Sequence, residues 1–461
     1  MKQAKIGLLP LYIKLYDDFS QGMRAGIDPY HDEIAGALKN QNLEVVRADV
    51  CRIKPEFEKA IALFEKENVD AIVTLHLAYS PSLESIEAIA NTKLPVIVLD
   101  TTKDYEFDFN VYKGAVSYNH GIHGVQDFCS MLRRYKKDFS LFAGHYENSD
   151  VIKNVADAAR AISASKTLAG SKVGRIGGEF KGMGDFAPSC KAMEKLGITV
   201  VECDGEQLDG YKNAVTDEQI KKEYDADCKN HGALEIDYEV YSATERVGLA
   251  VREWIKKQNL DAFTMNFLGA ASIKGFDTMP FAEACKQLSF GVGYAGEGDV
   301  LTASIVGALS KVYPDVNFVE MFCPDWKNGT IYMSHMGECN LNHLENTHMV
   351  VKNFPYTDAF NPTSILGNMK AGKGCIVNII PNADDWFDMV IVGGEMLQLP
   401  EKIENLYNSI NGWFKPTKDV ATLLAQYSEL GGTHHSAFVY DVDSKALMAF
   451  AKALDIKCTV I

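Results

Sequence analysis

Four short stretches carry the residues best suited to chemistry. In "GYAGEGDVLTAS", residues 293–304, three glycines surround Glu297 and Asp299 directly ahead of an apolar helical pattern. Glycine-rich turns before helices ordinarily cradle phosphate, but two acids repel an anion, and no Gly-Lys-Ser/Thr follows. A cation suits the stretch better. Leu301, Ile305, Val306, Leu309 and Val312 fall on one helical face, and Asp299 fits as the N-cap of that helix. Glu297 stands two positions earlier and has no role in starting the helix. In "FVEMFC", Glu320 is alone in an apolar strand, where an inward carboxylate is costly unless paired or metal-bound and an outward one is ordinary alternation. In "YMSHMGECN", His335 has a Met-rich strand setting, which a satisfied core histidine would share. A hairpin turning at "DWKNGT" would set it beside Glu320. In "GGTHHSAF", glycines lead into His434 and His435. Neighbours in a strand face opposite ways, so one of the two is expected at a common centre. Carboxylate and imidazole donors without sulfur suit Mn²⁺, Mg²⁺, Co²⁺ or Zn²⁺, and a carboxylate-rich, partly hydrated site leans towards Mn²⁺.

The elements that must position these residues have two textures. The first third alternates apolar, β-branched runs ("KIGLLPLY", "LEVVRADV", "VDAIVTLHL", "LPVIVLD") with helical segments ("HDEIAGALKNQ", "KPEFEKAIALFEKEN", "SPSLESIEAIANT"). That alternation predicts a parallel sheet with right-handed crossovers. Ser80-Pro81 is expected to supply an N-cap and a first-turn proline. The pattern restarts with "KVGRIGGEF", "ITVVECD" and "LDAFTMNFLG", with the long helical "VYSATERVGLAVREWIKKQN" between the last two. After residue 313, "NFVEMFC", "GTIYMSHMG", "HMVVKNF", "GCIVNII" and "WFDMVIVGGEMLQL" are strands separated by turn residues, as antiparallel β structure requires, before a closing helix and a last strand "IKCTVI". The expected plan is an N-terminal α/β domain at 1–167, a central α/β domain at 168–312 and a β-rich domain at 313–461.

The bulk properties narrow the classes. A chain of 461 residues has room for two or three domains, and 47% hydrophobic with 23% charged residues is a globular balance. A net charge of −16 disfavours nucleic acid and anionic membrane as partners. The apolar run near the N-terminus is soon interrupted by acids and reads as a first buried strand rather than a signal peptide. Ten scattered cysteines without a C-x-x-C pair point to reduced, mostly buried thiols and a cytoplasmic protein.

In this order, the four stretches resemble segments of the L-arabinose isomerase family and, more distantly, of L-fucose isomerase. "GYAGEGDVLTA" is similar to the family's Gly-Glu-Gly-Asp segment, "FVEMF" to Phe-Met-Glu, "SHMGE" to Ser-His-Met-Leu-Glu, and "GGTHHS" to Gly-Gly-x-His-His. Collinear matches at "LHLAYSPS", "HGVQDF", "GMGDF" and "AFTMNF" extend the resemblance over most of the chain. It implies two Rossmann-like domains followed by a β-rich, barrel-like domain. It also implies that Glu297, Glu320, His335 and His435 ligate a divalent metal, Mn²⁺ in the first place, with Co²⁺ or Mg²⁺ as alternatives. His434 would stand beside them, and Met183 and Phe267 would line the substrate pocket. His123 would reach the site of a neighbouring subunit in a trimer-based homo-oligomer such as a hexamer.

The implied reaction interconverts an aldose and a ketose of a free sugar, L-arabinose or a related pentose or hexose, through an enediol. Glu297 and Glu320 would share the proton transfers. The sequence departs from the family pattern at "MFCPDW" after the second glutamate, at Val300 where the family usually has Trp, and in the N-terminal "PLYIKLYDD". These departures touch the pocket and spare the implied ligands. Two other readings compete. A non-catalytic sugar-binding or regulatory protein could share the tandem α/β layout without metal ligands. A nucleotide-binding oxidoreductase could use "GRIGGEFKGMGDF", but that stretch lacks the Gly-x-Gly-x-x-Gly spacing and a ribose-binding acid.

Overall fold

The computed structural model describes residues 2–19, 22–232, 236–357 and 359–461. They form two compact units: Lys2–Lys166 with Lys445–Asp455, and Thr167–Ser444 with Ile456–Ile461.

In the first unit, β1 (Lys5–Leu11), β2 (Glu44–Arg47), β3 (Ala71–His76), β4 (Val96–Asp100) and β5 (Phe139–Ala143) make one parallel sheet in the order β2-β1-β3-β4-β5. The central strands are buried along nearly their whole length, which is why they read as unbroken apolar runs. The helix Lys54–Lys66 turns Phe57, Ala60, Ile61 and Phe64 into the core. Ser80 does not cap the next helix. Pro81 occupies the N-cap position without a side-chain cap, and the helix begins at Ser82, whose hydroxyl donates to Asp127 instead.

The second unit opens with β6 (Lys172–Ile176), β7 (Thr199–Glu202), β8 (Ala262–Met265) and β9 (Gly293–Gly296), parallel in the order β7-β6-β8-β9. Its β-rich part contains β10 (Val316–Asp325), β11 (Thr330–Ser334), β12 (Leu344–Val351), β13 (Thr363–Met369), β14 (Gly372–Pro381), β15 (Phe387–Met396), β16 (Gly412–Pro416), β17 (His435–Tyr440) and β18 (Lys457–Val460). The sequence β14-β17-β10-β11-β16-β15 closes through β15–β14 pairing into an antiparallel barrel. Val319, Met333, Ile376, Val392, Phe414 and Phe438 belong to its core cluster. β18 adds to β15 in parallel, and β12 and β13 pair separately. The expected fold class, two parallel-sheet α/β regions and a barrel-like β region, is the one observed.

The helix Val300–Ser310 packs against β8 and β9 of the parallel sheet and β10 and β17 of the barrel. Every residue from Val300 to Leu309 is buried. A single apolar face was expected; a helix enclosed by two layers must be apolar or small all round. Among the described residues no cysteine forms a disulfide, but only Cys51, Cys285, Cys339 and Cys375 are buried, whereas Cys190 and Cys323 are exposed, so "mostly buried" does not hold. Among the described residues no helix is long and apolar enough to cross a membrane.

Candidate metal centre

Three neighbouring barrel strands bring the distant residues together. β10 lies between β11 and β17, with Glu320 paired to Ser334 on one side and His435 on the other. His335 follows directly after β11, so the expected hairpin brings its Nε2 to 3.9 Å from the Glu320 carboxylate. Phe318, two residues before Glu320 on the same strand face, packs edge-on against His335 and His435, with centroids 4.7 and 5.1 Å away.

Glu297 arrives from the parallel sheet. Its backbone N–H extends the β9 pairing by donating to the Met265 carbonyl at 2.9 Å. The residue then takes φ 61°, left-handed and uncommon for a side chain of this size. Gly298 follows at φ 80°, where an added Cβ would lie 2.6 Å from the Gly178 carbonyl oxygen. Strain of this kind persists where surrounding structure enforces it, and here it points the glutamate at two imidazoles. Glu297 Oε2 is 3.5 Å from Nε2 of both His434 and His435. Two three-residue donor groups result, Glu297–His434–His435 and Glu320–His335–His435, with His435 common to both.

The histidine pair departs from the strand-alternation expectation. β17 begins at His435, so His434 lies in the preceding turn and both rings can approach Glu297. The turn is secured from the barrel: Asn378 Nδ2 donates to the His435 carbonyl at 2.7 Å, and the Tyr427 hydroxyl donates to the Thr433 carbonyl at 2.7 Å.

Carboxylates behind the imidazoles orient them. Asp299 caps its helix through Oδ1, which accepts from Thr302 N–H at 2.8 Å, while Oδ2 pairs with His435 Nδ1 at 3.1 Å. Glu338 pairs with His335 Nδ1 at 2.7 Å and accepts from the Tyr294 hydroxyl at 2.6 Å. With Nδ1 engaged in both rings, Nε2 is left to act as donor, which is the arrangement that prepares histidines for a metal. His435 is fully buried and its Nε2 has no hydrogen-bond partner. An orphaned imidazole nitrogen among carboxylates fits a divalent ion, as does the all-oxygen-and-nitrogen donor set.

The electrostatics divide the carboxylates. Burial works against the charge of Glu297, but His434, His435 and His335 outweigh it and hold its carboxyl below the usual range. Glu320 is raised, because burial outweighs the same imidazoles and Glu297 adds repulsion. His434 rises to about 10 despite its burial, through Asp185 and Glu297.

Asp185, Asp299 and Glu338 are site residues whose roles sequence reasoning missed. Asp299 was legible only as a helix cap, and Glu338 lay unremarked within "SHMGE" three residues after His335. Asp185 lay within "GMGDF", with no spacing to link it to a histidine 249 positions away. Met183 lines a cavity of about 450 Å³ together with Phe180, Phe186, Gly298 and Val300. Phe267 lies outside that lining but packs on Phe180, with centroids 5.4 Å apart. His123 belongs to the N-terminal unit, exposed on the helix Gly121–Arg134, with its ring edge-on to His120.

Residues 315–457 match the family model of the L-arabinose isomerase C-terminal domain, a span that includes Glu320, His335, His434 and His435. The chain is 23% identical over 417 residues to the L-arabinose isomerase of Shouchella clausii, covering 88% of this chain and 85% of that one. It is 25% identical over 412 residues to that of Mannheimia succiniciproducens, covering 86% and 82%. The chain is thus similar to L-arabinose isomerases over most of its length, and residues 315–457 match that family's C-terminal domain. Another similar protein, the L-arabinose isomerase of Thermotoga neapolitana, is 24% identical over 433 residues, covering 91% of this chain and 85% of its own. Among solved structures, a periplasmic solute-binding protein from Actinobacillus succinogenes with bound D-allose aligns at 12% identity over 67% of this chain and 92% of that one. Its TM-score of 0.18 carries no weight for fold or function. Val300, one of the departures from the resembled pattern, lines the cavity.

Proposed function

We propose that this chain is a metal-dependent aldose–ketose isomerase acting on a free pentose or hexose, L-arabinose or a related sugar. The observation that carries the reading is the orphaned His435 Nε2, buried between two carboxylate-bearing donor groups. Glu297, Glu320, His335 and His435 would hold the ion, Mn²⁺ in the first place and Co²⁺ or Mg²⁺ otherwise. When bound, the ion would polarise the sugar's carbonyl and hydroxyl oxygens as a Lewis acid. The isomerisation moves a proton from C2 to C1 through an enediol and another between O1 and O2. One of Glu297 and Glu320 would carry the carbon-bound proton while the other serves the oxygens. Met183 and Phe267, with the aromatic wall around them, would shield the enediol from water. A binding protein without catalysis would have no use for such donors. Cysteines outside disulfides suit a cytoplasmic enzyme.

Among the described residues no lysine or arginine hydrogen-bonds or pairs with any of the four proposed ligands or with His434. Free sugars should therefore be isomerised with a higher kcat/KM than their phosphates. A panel of aldopentoses, aldohexoses and their phosphate esters, assayed for ketose formation, tests this. A consistent preference for the esters would overturn the substrate class, and no ketose from any sugar would overturn the isomerase reading.

The site is further proposed to be shared between subunits of a trimer-based homo-oligomer, with His123 supplied by a neighbour. In support, the N-terminal unit exposes Phe107, Phe109, Tyr112, Val116 and Ile122, an apolar surface that an isolated chain would leave in water, with Phe109 95% exposed. His123→Ala should lower kcat with metal content and fold intact. Mixing it with Glu297→Ala under subunit exchange should regenerate some complete sites. Mixed oligomers without recovered activity would return His123 to a structural role.

A further inference from the structure

We propose that Asp185 is a positioning residue that holds the His434 imidazole over Glu297, a role that rests on the isomerase reading above. His434 is poorly secured by its surroundings. It sits in a turn, with 32% of its side chain exposed, and its ring neighbours Phe186 and His435 lie tilted against it at 57° and 50°. Asp185 supplies what packing does not. Its Oδ2 accepts from the backbone N–H of His434 at 3.0 Å and pairs with the ring Nδ1 at 2.6 Å. One oxygen therefore fixes both the main chain and the ring. With Nδ1 engaged, the Nε2 edge is the one presented to Glu297, at 3.5 Å from Oε2. Hydrogen bonds from the His434 ring and N–H outweigh burial and hold the Asp185 carboxyl at about 2.

The next residue completes the device. Phe186 is buried and lies nearly parallel to the His435 ring, 4.9 Å away at 14°. The pair Asp185–Phe186 thus secures both imidazoles, one by hydrogen bonds and the other by its face. Their segment is anchored in turn: the Asn266 amide approaches the carbonyls of Gly177, Gly178 and Glu179, the last at 3.0 Å. Asp185 itself is 37% exposed, so truncating it removes little core packing. Freed from it, the His434 ring can swing into water and leave Glu297 without its neighbour.

The test compares Mn²⁺-loaded wild type with Asp185→Ala, His434→Ala, the double variant and Asp185→Asn. Asp185→Ala should retain its metal and lose kcat by about 10–100-fold, the usual effect of removing a group that orients a site histidine. Because Asp185 acts through His434, the double variant should be no slower than His434→Ala. Asp185→Asn, whose amide oxygen can still accept both hydrogen bonds, should recover part of the loss. Additive losses, a wild-type kcat in Asp185→Ala, or loss of its metal would each overturn the proposal. A crystal structure of Asp185→Ala provides an arm independent of activity. Displacement of the His434 ring from Glu297 supports the proposal, and an unmoved ring overturns it. If wild type isomerises no aldose, the functional reading fails while this structural arm still decides the positioning.

Discussion

Stripping divalent metal from the protein is expected to abolish isomerisation of aldoses, and adding Mn²⁺ or Co²⁺ to restore it. The reasoning starts from burial. Glu297, His335 and His435 are each less than a tenth exposed, and Asp299 and Glu338 behind them are buried as well. Such a concentration of carboxylates and imidazoles away from water is costly unless something of opposite charge compensates it. Arginine or lysine would be the usual compensation, yet the acids pair with histidine instead. A divalent ion matches both the charge and the orphaned Nε2 of His435. The same linkage gives a readout without substrate: an ion that binds only the folded chain, at 100 times its Kd, stabilises it by about 2.7 kcal/mol. EDTA-treated protein should therefore melt at a lower temperature, and Mn²⁺ should reverse the shift in wild type but not in Glu320→Ala. Full activity in a preparation shown by mass spectrometry to hold no metal would end the metal-isomerase proposal.

The fold was legible wherever periodicity and burial agree. Strands such as "VIVLD" are buried on both faces and carry no polar alternation to confuse the reading. The strand Thr363–Met369 was missed, because its seven buried residues include Thr, Ser, Gly and Asn, which resemble a turn in sequence. The helix Val300–Ser310 was placed correctly, but its burial on every side depends on two layers that no local pattern can display. The candidate donors drew notice in the sequence because acids and histidines in apolar strands call for an explanation. Their supports did not. Asp299, Glu338 and Asp185 each act through a single hydrogen bond or two to a ring nitrogen, and only the register of β10 against β11 and β17, with the turn before His435, determines which nitrogens are in reach.

Gly296 of "GYAGEG" also acquires a physical reason, and Gly296→Ala gives it a sharp test. Gly296 has no left-handed backbone angle, so alanine meets no conformational penalty there. The obstacle is steric. An added Cβ would lie 2.5 Å from His335 Cε1 and 2.8 Å from its Nε2, far inside contact distance. The ring has little room to retreat, since Glu338 holds Nδ1 at 2.7 Å and the Phe318 ring packs against it at 4.7 Å. One methyl group should therefore displace the Nε2 that faces Glu320 and remove a donor from the centre. The expected result is a folded protein, with unchanged circular dichroism, that binds Mn²⁺ as poorly as His335→Ala and loses activity by about 100-fold, the upper end of the range for disturbed site supports. Gly36→Ala is the matching control. It lies within the helix Arg24–Asn40 with open space where its Cβ would go, so alanine there should be neutral or slightly stabilising. If Gly296→Ala instead keeps wild-type metal content and activity, the His335 ring is not confined as described, and its membership of the donor set loses its structural support.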